Sequence, residues 1–269
     1  MNNNNIESGK NISPTQSQLS HFVAKGIEKN FGGIKALSNV NFEINRGEVM
    51  GLVGDNGAGK TTLMKAISGA QLCDSGSFYI NGKNVKINSP LDASRIGIQI
   101  VYQDLALCEN LDVSANLFLG NEIRYFDNLK FIPKILRPLD HLSMEEQTKA
   151  AIEKLKVHTI TSMRTKIGFL SGGQRQSIAI ARAIESDSSI VLLDEPTAGM
   201  SLEERRKTGE LLEPLRKECS LLIVEHDLDF IRDICDVLTV LDQGIVVETG
   251  NIETIQKSEK VKKVYLSRV

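Results

Sequence analysis

Gly54-Asp55-Asn56-Gly57-Ala58-Gly59-Lys60-Thr61 reads G-x-x-x-x-G-K-[ST], the pattern of a phosphate-binding loop. The run before it, Val49-Met50-Gly51-Leu52-Val53, is apolar and reads as a buried strand. The run after it, Thr62 to Ser68, has Leu63 and Ile67 four residues apart and reads as a helix. Strand, glycine loop and helix together give the pattern a mechanism. Glycines let the backbone wrap tightly and turn its N–H groups toward anionic oxygens. The helix N-terminus adds the positive end of its dipole. Lys60 supplies a mobile positive charge for the outer phosphates, and the Thr61 hydroxyl is placed to ligate Mg²⁺.

Bulk properties narrow the classes. The chain has 269 residues, enough for one large domain or two small ones. Its hydrophobic content of 41% and charged content of 25% are ordinary for a globular protein. A net charge of −2 gives no reason to expect a nucleic-acid partner. Cys73, Cys108, Cys219 and Cys235 show no C-x-x-C spacing, and His21, His141, His158 and His226 are scattered. A metal cluster or disulfide framework is therefore not expected, and a reducing compartment is. No apolar run approaches the ~18 residues needed to cross a bilayer. The N-terminus lacks a secretory pattern, so a membrane role is expected only through a partner.

In chain order, residues 1–20 are rich in Asn, Ser and Gln and read as a mobile tail. Phe22 to Lys29 reads as a strand, Phe31-Gly32-Gly33 as a turn carrying an aromatic, and Val40 to Ile44 as a strand with one buried face. Phe78 to Val85 holds Asn81-Gly82 between apolar runs, a hairpin signal. An antiparallel layer thus flanks the phosphate loop in sequence. After the apolar run Ile98 to Tyr102, residues 104–170 read as mostly helical, with Ala151, Ile152 and Leu155 on one side of a helix and a loop at Pro133 and Pro138. Ser171 and Gln174 make a capping box that starts another helix. Ile190 to Leu193 is apolar on both faces, as a central parallel strand is. It ends in Asp194-Glu195-Pro196, expected at the carboxyl edge of the sheet beside the phosphate loop. Leu221 to Val224 repeats the pattern and ends in Glu225-His226-Asp227. Asp236 to Thr249 reads as two strands around Asp242-Gln243-Gly244, and the segment from Ile252 as a mixed, helical tail.

Phosphoryl transfer needs positioning and charge stabilisation more than covalent chemistry. Asp194 is placed to hold Mg²⁺ directly or through water. Glu195 is placed to take a proton from an attacking water. Without the phosphate loop the two would read equally well as solvated carboxylates closing a strand. Gln103 either contacts Mg²⁺ or water, or is an ordinary polar strand end. His226 is either catalytic or a satisfied structural histidine. Phe31 either stacks on an adenine ring or simply packs. The start of the helix at Ser171-Gly172-Gly173-Gln174 is a second anion site, one without a lysine. One γ-phosphate needs one cradle. A head-to-tail dimer resolves the duplication, with Ser171 and Gly173 of one chain closing over nucleotide held by Lys60 of the other.

These residues resemble the ATP-binding subunit of ABC transporters from about Phe22 to Thr249. The motifs stand in the family's order: an A-loop aromatic at Phe31, Walker A at Gly54 to Thr61 with Thr62 behind it, a Q-loop at Gln103, a signature at Leu170 to Gln174, Walker B at Ile190 to Asp194, a catalytic-type Glu195 and a switch His226. The resemblance implies an α/β fold: a P-loop NTPase (RecA-like) core with an antiparallel β subdomain and an inserted α-helical subdomain. It implies one ATP-binding domain over 22–250, a helical subdomain over about 104–170 that receives the membrane subunit, and a C-terminal tail over 251–269. It implies ATP and Mg²⁺ as cofactors, Thr61, Gln103 and Asp194 as metal-site residues, and Lys60, Gln103, Glu195 and His226 as the hydrolytic set. Nucleotide contacts follow at Phe31, Gly54, Asp55, Asn56, Gly57, Ala58, Gly59, Lys60, Thr61 and Thr62, with Ser171, Gly172, Gly173 and Gln174 across the dimer. The implied partners are a second ATP-binding subunit, identical or paralogous, transmembrane permease subunits, and indirectly a solute-binding protein, on the cytoplasmic side of the inner membrane.

Within the family, Ala36 to Val40, Asn88-Ser89-Pro90, Gly97-Ile98, Val101 to Leu105 and Asn116 to Gly120 look like importers of pentoses and related sugars. Glu225-His226-Asp227 looks somewhat like amino-acid importers. In the loop after Glu195, Ser201 stands where the family usually has Asp, which bears on that loop's contact across the dimer. A soluble ATPase of the same type is the alternative from another class; the double cassettes or long coiled coils of such proteins are not seen. A GTPase-like switch lacks its guanine-reading segment.

Overall fold

The computed structural model describes residues 20–126, 133, 136–157 and 159–266, with side chains to 263. His158 and most of the expected tail at 1–20 lie outside the described residues.

The core is a six-stranded sheet in the order β10-β9-β3-β8-β7-β6. Its strands are β3 (Val49–Val53), β6 (Ile98–Val101), β7 (Ile190–Asp194), β8 (Ser220–Val224), β9 (Val237–Asp242) and β10 (Ile245–Gly250). All pair in parallel except the β9–β10 hairpin at the edge. Side chains alternate across a strand, and this alternation sorts the apolar residues into two cores. Val49, Val53, Val191, Leu193, Leu221 and Ile223 face one. Met50, Leu52, Ile190, Leu192, Leu222 and Val224 face the other.

The first core is covered by α3 (Val113–Leu117), α4 (His141–Lys154), α5 (Gly172–Glu185), α6 (Leu202–Leu212) and α7 (Leu228–Ile234). The second is covered by α1 (Lys60–Ile67), α2 (Pro90–Arg95) and an antiparallel sheet of β1 (Ser20–Phe31), β2 (Ile34–Asn45), β4 (Ser75–Ile80) and β5 (Lys83–Val85), ordered β2-β1-β4-β5. The β4–β5 hairpin turns at Asn81 (φ 49°) and Gly82 (φ 75°), the doubly left-handed turn expected of Asn-Gly. Sheet and helices thus give the expected α/β architecture.

Three local expectations change. β1 runs past Lys29 to Phe31, so the aromatic closes a strand and only Gly32 and Gly33 turn. Residues 104–170 are much less helical than expected. Among the described residues they hold α3, α4, a 3-10 turn at Ile167–Phe169 and 3-10 backbone at Leu136. α3 has five residues and α4 fourteen, each starting at an aspartate cap, Asp112 and Asp140, and the backbone around them is irregular. The loop backbone is satisfied by side chains instead. The fully buried Asn116 accepts from the Cys108 N–H and donates to the carbonyls of Cys108 and Asp112. The C-terminal segment is helical, as expected, but it packs on the core rather than trailing from it. It forms α8 (Ile252–Lys257) and α9 (Glu259–Leu266), whose Ile255 and Val261 are buried in the first core. Their spacing of six residues spans two helices with a break at Ser258, which hides the pattern from a single-helix reading. Replacing Ile255 with Ala is expected to cost about 2 kcal/mol, roughly 5 °C in Tm, by leaving a cavity. A thermal melt with no shift would show that these helices do not contribute to the folded core.

Candidate nucleotide site

Buried strands carry no charge until their last residues, so the charged groups gather at one edge. β3 delivers the loop at Gly54 and α1 starts at Lys60. Two of the loop's glycines are required by geometry. A Cβ on Gly54 (φ 157°) falls 2.1 Å from the Leu241 carbonyl oxygen, and one on Gly59 (φ 104°) falls 2.6 Å from that of Ala36. Gly57 (φ 82°) meets nothing within 4 Å, so the outer lip of the loop is open. The loop is fastened from behind by Gly244, whose N–H donates to the Ala58 carbonyl at 2.8 Å.

Lys60 is buried, and its Nζ donates to the carbonyls of Gly54 (2.7 Å) and Asp55 (3.0 Å). Burial holds its ammonium below the usual lysine range, while the carboxylates of Glu195, Asp55 and Asp194 pull it back up. Asp194 ends β7. Burial first, then the adjacent Glu195 charge, push its carboxyl above the usual range, against Lys65 and Lys60. Both groups carry a desolvation cost that a ligand of mixed charge relieves. Thr61 is exposed at the first turn of α1, with Thr62 half-buried behind it.

Glu195 has φ 49°, left-handed backbone that costs a non-glycine residue about 1–2 kcal/mol. Its N–H donates to the Val224 carbonyl at 2.9 Å, and its Oε1 lies 2.9 Å from His226 Nε2. The pair joins the ends of β7 and β8. Behind it is a residue to which sequence reading assigned no role. Glu225 is 4% exposed. It accepts from the Thr197 N–H and hydroxyl on one oxygen and from the His226 N–H on the other. The available signal was a carboxylate ending the all-apolar run Leu221 to Val224. Arg182 was missed as well. From α5 it donates to the carbonyls of Leu105 and Ala106, both left-handed at φ 60° and 45°.

The other expected site residues stand apart. Gln103 is exposed on the turn after β6 and makes no hydrogen bond to Thr61, Asp194 or Glu195. Phe31 is 44% exposed at the end of β1, with Lys29 Nζ 5.7 Å from its ring centre. Ser171 caps α5 in a complete capping box with Gln174. Ser171, Gly173 and Gln174 line a cavity of about 1150 Å³ against α6, and no residue of the phosphate loop lines it. Ser201 caps α6 in another complete box with Glu204, so the serine does the local work that Asp also does at an N-cap.

A model of the ABC transporter family matches residues 37–198, from β2 through the loop after β7. The xylose/arabinose import ATP-binding protein of Sulfolobus acidocaldarius is 40% identical over 86% of this chain and 90% of its own. The chain belongs to the ABC transporter family. The fructose import ATP-binding protein of Rhizobium meliloti is 38% identical to this cassette over 80% of the chain and 82% of its own. The cassette spans about half, 46%, of the ribose import ATP-binding protein of Caldanaerobacter subterraneus, at 36% identity. A solved ATP-binding cassette of an ABC transporter in its ADP conformation is 27% identical, covers 92% of this chain and 99% of its own, and superposes with a TM-score of 0.74. A dimeric cassette in a post-hydrolysis state, bound to ADP and Pi, is 25% identical over 86% and 98% with a TM-score of 0.68.

Because burial and Glu195 raise the folded-state carboxyl of Asp194, its charged form costs stability above the ordinary carboxylate range and nothing below it. Asp194→Asn should therefore raise the ligand-free Tm at neutral pH, and the gain should vanish as acid protonates both states. The same variant should lose any divalent-cation dependence of nucleotide binding. Melts across pH that show no gain would mean the carboxylate is not strained.

Proposed function

We propose that this cassette is the ATP-binding and ATP-hydrolysing subunit of an importer, with a sugar as cargo, powered by ATP-driven dimerisation of two cassettes. The observation that carries hydrolysis is the Glu195–His226 pair beside Lys60 and Asp194 at one sheet edge. The sugar reading rests on the import proteins for xylose/arabinose, fructose and ribose to which the chain is similar.

The chain's own groups divide the work. The loop N–H groups from Gly54 to Thr62 and the Lys60 ammonium hold the phosphate tail. Phe31, exposed at the end of β1, is free to lie against a base. Glu195 Oε1 accepts a proton from water, and His226 Nε2 holds that carboxylate in place. Gln103 reports the state of the site to the segment that follows it. A divalent cation fits the donor set. Among the described residues no group of three or more His, Cys, Asp or Glu forms a metal cage. Thr61 and Asp194 offer hard oxygen donors, which suits Mg²⁺, an ion that takes few protein ligands and completes its shell with water and phosphate. When bound, Mg²⁺ neutralises phosphate charge.

Ser171 and Gly173 line a cavity that no residue of the phosphate loop lines, which supports a second cassette, identical or paralogous, completing the site head to tail. No helix among the described residues is long and apolar enough to cross a membrane. Attachment to the cytoplasmic face of the inner membrane then comes through permease subunits, with a solute-binding protein supplying cargo on the far side.

Glu195→Gln should bind ATP, accumulate as a dimer on size exclusion and lose nearly all turnover, on the order of 10²-fold or more. Hydrolysis at the parent rate would overturn the proton-acceptor assignment. Deleting the gene should abolish uptake of a labelled sugar, with pentoses tested first. Loss of amino-acid uptake with sugar uptake intact would overturn the cargo reading.

A further inference from the structure

Glu195 and His226 belong to different strands, and the sheet itself stops holding them one residue too early. The β7–β8 ladder ends at Asp194 opposite Val224, followed by one more bond from the Glu195 N–H to the Val224 carbonyl. Beyond this point both chains leave the sheet. Their side chains are 30% and 43% exposed, so water competes for the 2.9 Å contact. Something must register the two departing segments.

We propose that Glu225 is a positioning residue for hydrolysis: its buried carboxylate ties the segment after Glu195 to the backbone of His226 and so sets the distance between those two side chains. The inference rests on the roles of Glu195 and His226 proposed above. Glu225 Oε1 accepts from Thr197 N at 2.7 Å and from Thr197 Oγ1 at 2.6 Å, and Oε2 accepts from His226 N at 3.1 Å. Thr197 is 2% exposed and Glu225 4%, so water cannot substitute for the two Thr197 bonds. Three donors converge on one side chain, and only a group that accepts on both oxygens satisfies them. A glutamine cannot do so. Its NH₂ meets either the His226 N–H or both Thr197 donors, and in each orientation a backbone donor faces another donor.

The chemistry separates this role from plain structural support. If Glu225 acts through the His226–Glu195 contact, its removal matters only while that contact exists. ATP hydrolysis and nucleotide affinity are to be measured for the full chain as parent, Glu225→Gln, His226→Ala and the double variant. Glu225→Gln is expected to lower kcat on the order of tenfold, as small misplacements of a reacting group do, with nucleotide Kd changed less than about twofold. In the His226→Ala background the same substitution is expected to lower kcat by less than about twofold. Equal fractional losses in both backgrounds, or an unchanged kcat in Glu225→Gln, would overturn the inference. If His226→Ala itself turns over at the parent rate, the assignment of the pair fails and this inference with it. If His226→Ala is slow and Glu225→Gln is not, the inference alone fails. Should Glu225→Gln not fold, Thr197→Val in the same two backgrounds decides the question. It removes the hydroxyl donor and keeps the backbone one, and Thr197→Ser should restore the parent rate.

Discussion

Charge placed at the rim of a buried parallel sheet is the constraint on which the rest of this cassette depends. β3, β7 and β8 are apolar on both faces along their length, so every polar group they deliver arrives at the carboxyl edge with low-dielectric protein behind it. Lys60 and Asp194 are both pushed by that environment toward neutrality. Their opposite charges, and the carbonyls that Lys60 donates to, offset only part of the cost. A polyanion carrying a hard cation supplies to each what the protein withholds. Burial thus creates the binding site as well as the core.

Around this rim, the irregular segments are wired to helices by single polar side chains. Arg182 on α5 takes the two strained carbonyls that follow Gln103. Arg205 on α6 donates to the Met200 carbonyl and pairs with Asp227, the residue that caps α7. Glu225 joins the segment after Glu195 to His226. Each link fastens an irregular segment that has no ladder of its own at that point. Helix α5 begins at Ser171 and carries Arg182 further along the same rod.

Signals carried within a few residues were legible in the sequence. The phosphate loop, the doubly apolar β7 and the Asn81-Gly82 hairpin each depend on local backbone chemistry, and each appears where it was read. The capping box at Ser171 is of the same kind, and Ser201 with Glu204 makes another. The helical content of residues 104–170 was overread because an apolar stripe is ambiguous when side chains such as Asn116 satisfy loop backbone instead of helix backbone. The C-terminal segment is helical as its sequence reads, but that Ile255 and Val261 anchor it follows only once a core exists to receive them.

By itself, then, the sequence determined where a glycine loop joins strand to helix, which strands are buried and where helices begin, because those follow from dihedral preference and side-chain period. Only the tertiary structure decided which strand ends meet. The order β3-β8-β7 brings Glu195 against His226 and Glu225 against Thr197 across 28 or more residues of chain. Such contacts depend on which edges pair, and pairing is chosen by the shape of the whole core rather than by any stretch within it.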